Sequence, residues 1–209
     1  MRTEEGPRED KAVVIINSAQ KLFGLYGASK TSMREIADDL HMSKASLYYY
    51  FPDKENLYKA VIEKELAEFL GKLGKDIRNS PDPAGCLRRY AQDRLYYFKY
   101  LVNLGRIAPG SFSDFKPQIA ESIRIFRENE KKMVMQVLEN GKKSGQFHIR
   151  NADKTASLYL DILRGLRSIF ISNKKLISID DDEYRELSEK VAGATNIFIR
   201  GLMYKKQDA

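Results

Sequence analysis

The sequence predicts an all-α fold on three observations. The six prolines, Pro7, Pro52, Pro81, Pro83, Pro109 and Pro117, leave 8 to 51 and 118 to 209 free of the residue that interrupts helix interiors. Apolar residues in both stretches recur at three- and four-residue spacing, as one face of a helix requires. No segment sustains the period-two alternation of a strand, and no internal repeat or low-complexity tract is present.

The elements follow in order. Ala12, Ile15, Ile16, Ala19, Leu22 and Phe23 share one side of a helix from about 10 to 25, with Gly27 placed to end it. Ser32-Met33-Arg34-Glu35 is a capping box, in which the Ser hydroxyl takes an amide of the first turn and Glu35 reaches back to the Ser32 amide. It opens a short helix from Met33 to Leu40. Ser43 offers a second N-cap, and Asp53, directly after Pro52, a third. Two short helices joined by so tight a turn fit a helix-turn-helix, and they fit an ordinary helical hairpin equally well. In either arrangement Ile36 and Leu40 face inward, Ala37 is small where the next helix crosses, and Met42 and Leu47 supply inner contacts beyond the turn.

Charge does not separate the two until it is located. The 209 residues contain 36 Lys and Arg against 29 Asp and Glu, a formal +7, which suits a nucleic-acid partner and also suits simple solubility. Residues 1 to 56 hold eight basic and nine acidic side chains, a net of −1, and the remainder carries +8. The informative feature is local. From Ser43 to Phe51 the chain has one charged residue, Lys44, and no acid, although Asp38, Asp39, Asp53 and Glu55 surround it. Small polar residues in the first turn of such a helix permit close approach to base edges, and Tyr hydroxyls and Lys amines suit phosphate oxygens. Three consecutive tyrosines cannot all be buried, because successive residues lie 100° apart.

TSMREIADDLHMSKASLYYYFPDKENLY resembles the DNA-binding signature of the TetR/AcrR family of bacterial transcriptional regulators, and IINSAQKLFGLYGASK resembles that domain's first helix and loop. The resemblance covers roughly 50 residues and implies a TetR-like architecture. An N-terminal three-helix DNA-binding domain with a helix-turn-helix is followed by a C-terminal helical bundle for ligand binding and dimerisation. The expected division is 1–53, a connector helix over 54–80, and 81–209. By resemblance, Thr31 or Ser32 contacts phosphate, Arg34 reaches the groove, and Lys44, Ala45 and Ser46 approach bases. Tyr48 touches phosphate or a thymine methyl, Tyr50 stands where relatives carry a phosphate-binding His, and Lys54 is a phosphate clamp. Tyr49, Leu47 and Phe51 are expected in the core. Arg34 also fits a solvated helix residue, and Ser46 an ordinary first-turn polar residue. His41 stands where a Gly usually adopts positive φ.

Beyond residue 80 the reading is local. Leu87, Ala91, Leu95, Phe98 and Val102 form a core stripe; beside it Tyr90, Arg94, Tyr97 and Leu101 form an aromatic stripe broken by an arginine. Ile119, Ile123, Phe126, Glu130, Met133 and Val137 form another, broken by an acid. A charge on a buried stripe needs a partner. Either Arg94 and Glu130 sit at the edge of the bundle or pair with other residues and the tyrosines are packing, or Tyr90, Arg94, Tyr97, Phe126 and Glu130 line a pocket for an aromatic or amphipathic effector. Ala156, Tyr159, Leu160, Leu163, Leu166 and Phe170, then Leu187, Val191, Ala194, Phe198 and Leu202, mark two final amphipathic helices. These are expected to build a four-helix homodimer interface, so that two recognition helices address a palindromic double-stranded DNA operator.

Enzyme signals are missing. Gly141-Lys142-Lys143-Ser144 approaches a phosphate loop, but that pattern requires Gly where Gln136 stands and Ser or Thr where Lys143 stands. His41, His148 and Cys86 supply no metal-ligand spacing and no Cys-His pair, and Ser18-x-x-Lys21 has no companion motif. No catalytic residue, metal or cofactor is therefore expected. The longest apolar run, Ala12 to Ile16, is far short of a membrane span, the first residues lack an apolar signal core, and a lone Cys86 forms no internal disulfide, so the expected location is cytoplasmic. The expected function is sequence-specific transcriptional regulation, with repression relieved by a small effector by resemblance. The alternative is a DNA-binding protein of the same fold with a structural or cell-division role and no effector.

Overall fold

The computed structural model describes residues 5–79, 81–105, 111–174 and 179–204, with side chains described for 11–77, 81–99, 117, 119–173 and 179–204. Among these residues the chain forms eight helices and no strand: α1 Glu5–Tyr26, α2 Met33–Asp39, α3 Lys44–Tyr50, α4 Lys54–Asn79, α5 Pro83–Gly105, α6 Ser111–Lys143, α7 Ala152–Lys174 and α8 Asp181–Met203. They make two compact units, Met1–Leu66 with Tyr100–Arg124, and Ala67–Lys99 with Ile125–Ala209. Helices α4, α5 and α6 each contribute to both, so α4 is shared between units rather than set apart. The first helix begins earlier than its apolar stripe, and α6 runs through the exposed Pro117, so proline spacing located the body of α6 but not its start.

In the first unit, local chemistry sets each helix end. Gly27, at φ 86°, donates its N–H to the Phe23 carbonyl at 2.8 Å and closes α1. Ser32 Oγ accepts the Glu35 N–H at 3.2 Å while Glu35 Oε2 accepts the Ser32 N–H at 2.7 Å, completing the capping box of α2. Ser43 Oγ accepts the Ser46 N–H at 3.1 Å to cap α3. Asp53 Oδ1 accepts the Asn56 N–H at 2.6 Å at the start of α4. Between α2 and α3 the chain reverses through His41 at φ 51°, the left-handed conformation expected there, and the Met42 N–H reaches back to the Ala37 carbonyl at 2.9 Å.

The core beneath these caps gathers Ile15 and Phe23 of α1, Ile36 and Ala37 of α2, Leu47 of α3, Leu57 and Val61 of α4, and Ile119 of α6. Leu40, Met42 and Phe51 pack against it. A polar seam orients α1: Ser18 Oγ donates to Asp39 Oδ2 of α2 at 2.8 Å, Gln20 Nε2 donates to the buried Glu65 of α4, and Lys64 Nζ donates to Gln20 Oε1 at 2.6 Å. Hydrogen bonds, unlike apolar contacts, fix direction. The seam therefore ties α1 in one direction to α2 and to α4.

In the second unit α7 packs on α8, and Phe69, Leu87, Leu138, Tyr159, Leu160 and Leu187 lie at the centre of its core. The final two helices depart from expectation. Ala156, Tyr159, Leu160, Leu163, Phe170, Leu187, Val191 and Leu202 are buried within the chain, so these stripes are consumed by its own core. The exposed apolar residues lie on the other faces: Leu158 and Ile169 on α7, with Gly165 between them, and Ile197 on α8, flanked by Gly193 and Gly201 and followed by Tyr204 just past its end. Leu101 and Val102 have side chains outside the described set.

Replacing Ser32 with Ala removes the side-chain acceptor of α2 while leaving its apolar face intact. A loss of about 1 kcal/mol in unfolding free energy is expected, measured by denaturant titration. An unchanged midpoint would show that the cap does not hold the helix.

Candidate functional site

The seven residues of α3 divide by direction. Leu47 is fully buried, and at 100° per residue Phe51 and Tyr50 flank it while Tyr49 points the opposite way. Accordingly Tyr50 packs partly into the core, its ring edge-on to that of Tyr49 at 5.3 Å, and Tyr49 is 65% exposed. This corrects the expected place of Tyr49, which is on the surface and not in the core, while Tyr50 is half-buried with its ring against the core. Lys44, Ala45, Ser46 and Tyr48 are all exposed. The Lys44 ammonium lies over the Tyr48 ring at 5.6 Å from its centre, and Ser46 Oγ is 2.8 Å from Ser43 Oγ. The outer face of α3 is therefore a cation, two aromatic rings with hydroxyls, and two small side chains, with no carboxylate.

Neighbouring candidates separate into presented and occupied groups. Thr31 is 2% exposed, and its hydroxyl donates to the Gly27 carbonyl at 3.0 Å and the Leu22 carbonyl at 3.4 Å. It closes the α1–α2 loop and is not offered to a ligand. Ser32 is exposed, with its hydroxyl engaged in the capping box. Arg34 is exposed and 3.7 Å from Asp38 one turn later, a pair that contributes little in water and can open to meet a phosphate. Lys54 Nζ donates to the carbonyls of Thr31 at 3.2 Å and Ser29 at 3.4 Å, so it ties the α1–α2 loop to the start of α4.

The second unit holds the other candidates, and five expected residues meet there. Glu130 is fully buried; its Oε1 accepts from the Tyr90 hydroxyl at 2.7 Å and from Arg94 Nε at 2.8 Å. Burial pushes the Tyr90 phenol well above its usual range, so it stays protonated and remains a donor. Tyr97 and Phe126 pack on the Phe69 ring, with centres 5.0 and 5.9 Å away. The charges on the two stripes thus pair with each other, rather than lying at the edge of the bundle or pairing with other residues. Two arginines of α7 complete the cluster. Arg164 Nη2 lies 3.8 Å from Glu130 Oε2, and the Arg167 guanidinium sits 4.2 Å from the centre of the Phe98 ring. Glu130 Oε2 and Arg164 Nε are buried with no hydrogen-bond partner among the described residues. Arg164, Arg167, Phe69 and Phe98 were not among the candidates; their signal was a pair of arginines at i, i+3 beside the apolar stripe of α7.

Among the described residues no group of three His, Cys, Asp or Glu side chains gathers as a metal site would require, and no helix is long and apolar enough to cross a membrane.

The family model described as bacterial regulatory proteins, tetR family, matches residues 15–61, the stretch from α1 into α4. A transcriptional regulator from Cytophaga hutchinsonii superposes with a TM-score of 0.85 and 35% identity, over 93% of this chain and 99% of that one. The HTH-type transcriptional regulator RutR of Escherichia coli is 34% identical over 85 residues, 41% of this chain and 40% of RutR. The biofilm operon icaADBC HTH-type negative transcriptional regulator IcaR of Staphylococcus epidermidis is 33% identical over 86 residues, 41% of this chain and 42% of IcaR. The chain thus spans about two fifths of the length of these two curated relatives, and nearly all of the Cytophaga protein. With the family's DNA-binding region matched from α1 into α4 and a regulator matched end to end above 30% identity, the chain belongs to the tetR family of bacterial regulatory proteins.

Proposed function

We propose that this DNA-binding transcriptional regulator acts as a homodimeric repressor that reads a palindromic operator through α3 and leaves it when a small effector occupies the second unit. The observation that carries the DNA-reading part is the outer face of α3, where Lys44, Ala45, Ser46, Tyr48 and Tyr49 are exposed together with no acid. In the major groove the first turn would meet base edges, Lys44 as donor and Ala45 and Ser46 as small neighbours. Tyr48, Tyr49 and Ser32 would meet phosphates, with Arg34 reaching alongside. Lys54 supports contact indirectly by fixing the loop next to Ser32, while its ammonium raises the local positive potential.

The homodimer is proposed through α7 and α8, on the face left exposed by intramolecular packing. Ile197, at 74% exposed, and Tyr204, Leu158 and Ile169 would be covered, and a Cβ built on Gly165, Gly193 or Gly201 meets nothing within 4 Å, so a second backbone can approach closely. Repeating the unit about a two-fold axis would place two α3 helices on half-sites about one DNA turn, 34 to 36 Å, apart or a multiple of it.

Effector action is proposed as a population shift. Helix α6 carries Glu130 in the second unit and Ile119 and Ser122 in the first, where Ser122 Oγ donates to Glu63 of α4 at 2.6 Å. A ligand that binds one arrangement of Glu130 better than another therefore biases a helix built into the core that supports α2 and α3.

Lys44→Ala is expected to weaken binding to a selected operator about tenfold and to relax preference at one base pair per half-site, read by fluorescence anisotropy across single-base operator variants. Equal affinity across that set for both proteins would contradict the base-reading role. Ile197→Glu is expected to convert the dimer to a monomer at micromolar concentration, read by sedimentation velocity; a dimer that persists would place the interface elsewhere.

A further inference from the structure

The buried cluster of the second unit carries more positive charge than it neutralises. Three guanidiniums, those of Arg94, Arg164 and Arg167, are arranged around Glu130, and among the described residues the only other carboxylate paired with them is the exposed Asp161, 3.0 Å from Arg164 Nη1. Arg94 is satisfied by Glu130. Arg164 divides its ends between Asp161 and Glu130 and leaves Nε buried without an acceptor. Arg167 has an aromatic ring beneath it and no carboxylate partner among the described residues. Exposed Arg127 on α6 adds to the same field.

A largely buried guanidinium with only the more distant charge of Glu130 to balance it is an unfavourable state. Loss of hydration, and after it repulsion from Arg94, lowers the Arg167 pKa to about 10, which still leaves it charged at neutral pH. A protein gains nothing in stability from that arrangement, and an apolar side chain there would cost less. Buried polar groups left unsatisfied in the free protein are those a ligand satisfies.

The surroundings restrict the ligand. Arg94 and Phe98 are one turn apart on α5, Phe126 and Glu130 one turn apart on α6, and Arg164 and Arg167 one turn apart on α7. Charges therefore lie beside half-buried rings of Tyr97, Phe98 and Phe126 rather than in a polar cleft. Arg167 is the guanidinium with no carboxylate in contact among the described residues, and a planar guanidinium matches a carboxylate through two parallel N–H donors.

We propose that the second unit binds an amphipathic monocarboxylate, its carboxylate held by Arg167 and Arg164 Nε and its apolar body laid against Tyr97, Phe98 and Phe126. This rests on reading the second unit as the effector site, and it names the chemical class of the effector. A carboxylate there would compete with Glu130 for Arg164, which gives the ligand a direct hold on α6.

The test uses the full-length protein, with 1-naphthoate and decanoate as probes and 1-naphthamide and decanamide as their neutral counterparts, titrated by calorimetry. Each acid is expected to bind at least tenfold more tightly than its amide. Arg167→Met should weaken acid binding about tenfold without changing amide binding, and Arg167→Lys should recover part of the loss. Arg94 is avoided because its removal would strand a buried Glu130. Equal affinity of acid and amide, or no acid bound at millimolar concentration, would overturn the proposal; so would an Arg167→Met protein, folded by circular dichroism, that keeps full acid affinity. Should Arg167→Met not fold, the acid and amide comparison on the wild type decides alone. The same acids are added to the operator complex in a separate anisotropy measurement. Acid binding without release would overturn the effector reading while leaving the anion site standing.

Discussion

Seven residues make fewer than two turns of α-helix, and isolated helices shorter than about 12 to 15 residues barely persist in water. Helices α2 and α3 have seven residues each, so the element proposed to read DNA cannot hold itself. It depends on the caps at Ser32 and Ser43 and on burial of Ile36 and Leu47 against α1 and α4. That constraint decides which side chains remain for function. On α3 the core takes Leu47 and much of Tyr50, with Phe51 just beyond, and the outward residues are Lys44, Ala45, Ser46, Tyr48 and Tyr49. The polar seam of Ser18, Gln20, Asp39 and Glu65 then ties α1 to α2 and to α4.

The second unit is organised by a different requirement, the neutralisation of one buried carboxylate. Glu130 cannot be desolvated alone, and Tyr90 and Arg94 of α5 are drawn to it at hydrogen-bonding distance while Arg164 of α7 remains at 3.8 Å. The pairing satisfies one carboxylate oxygen and leaves the other, together with Arg164 Nε, unmatched. Glu130 belongs to a helix, α6, that also contributes Ile119 to the first unit's core.

What could be read from the sequence was what is local. The caps at Ser32, Ser43 and Asp53, the left-handed turn at His41 and the acid-free α3 all depend on neighbours within four residues, and the structure has each of them. Direction around a helix was harder. The 100° spacing established that the tyrosines must diverge, but which of them faced inward depended on where Leu47 met α1 and α4. Thr31 and Ser32 are adjacent hydroxyls of the same chemistry, and only the closure of the α1–α2 loop separates the buried one from the exposed one. Long-range pairing was legible as a need and not as an answer: Arg94 and Glu130 each required a partner and found each other. The arginines of α7 lie beside an apolar stripe, and apolar spacing marks a buried face without marking the charges at its edge. The final two helices misled for a related reason, since an amphipathic stripe marks burial without saying whether the covering surface is the same chain or a second copy.

The initial charge of +7 has little bearing on any of this, since the first 56 residues carry −1 and the α3 face is marked by the absence of acid rather than an excess of base. The account turns on α3 being presented twice, in a fixed relation, to the major groove. The most direct measurement is selection of bound duplexes from a random library by the purified protein, followed by hydroxyl-radical footprinting of the winner. The account predicts a palindrome with two protected half-sites about 34 to 36 Å apart or a multiple of it. Enrichment of an asymmetric single site, or no enrichment over the starting library, would contradict it.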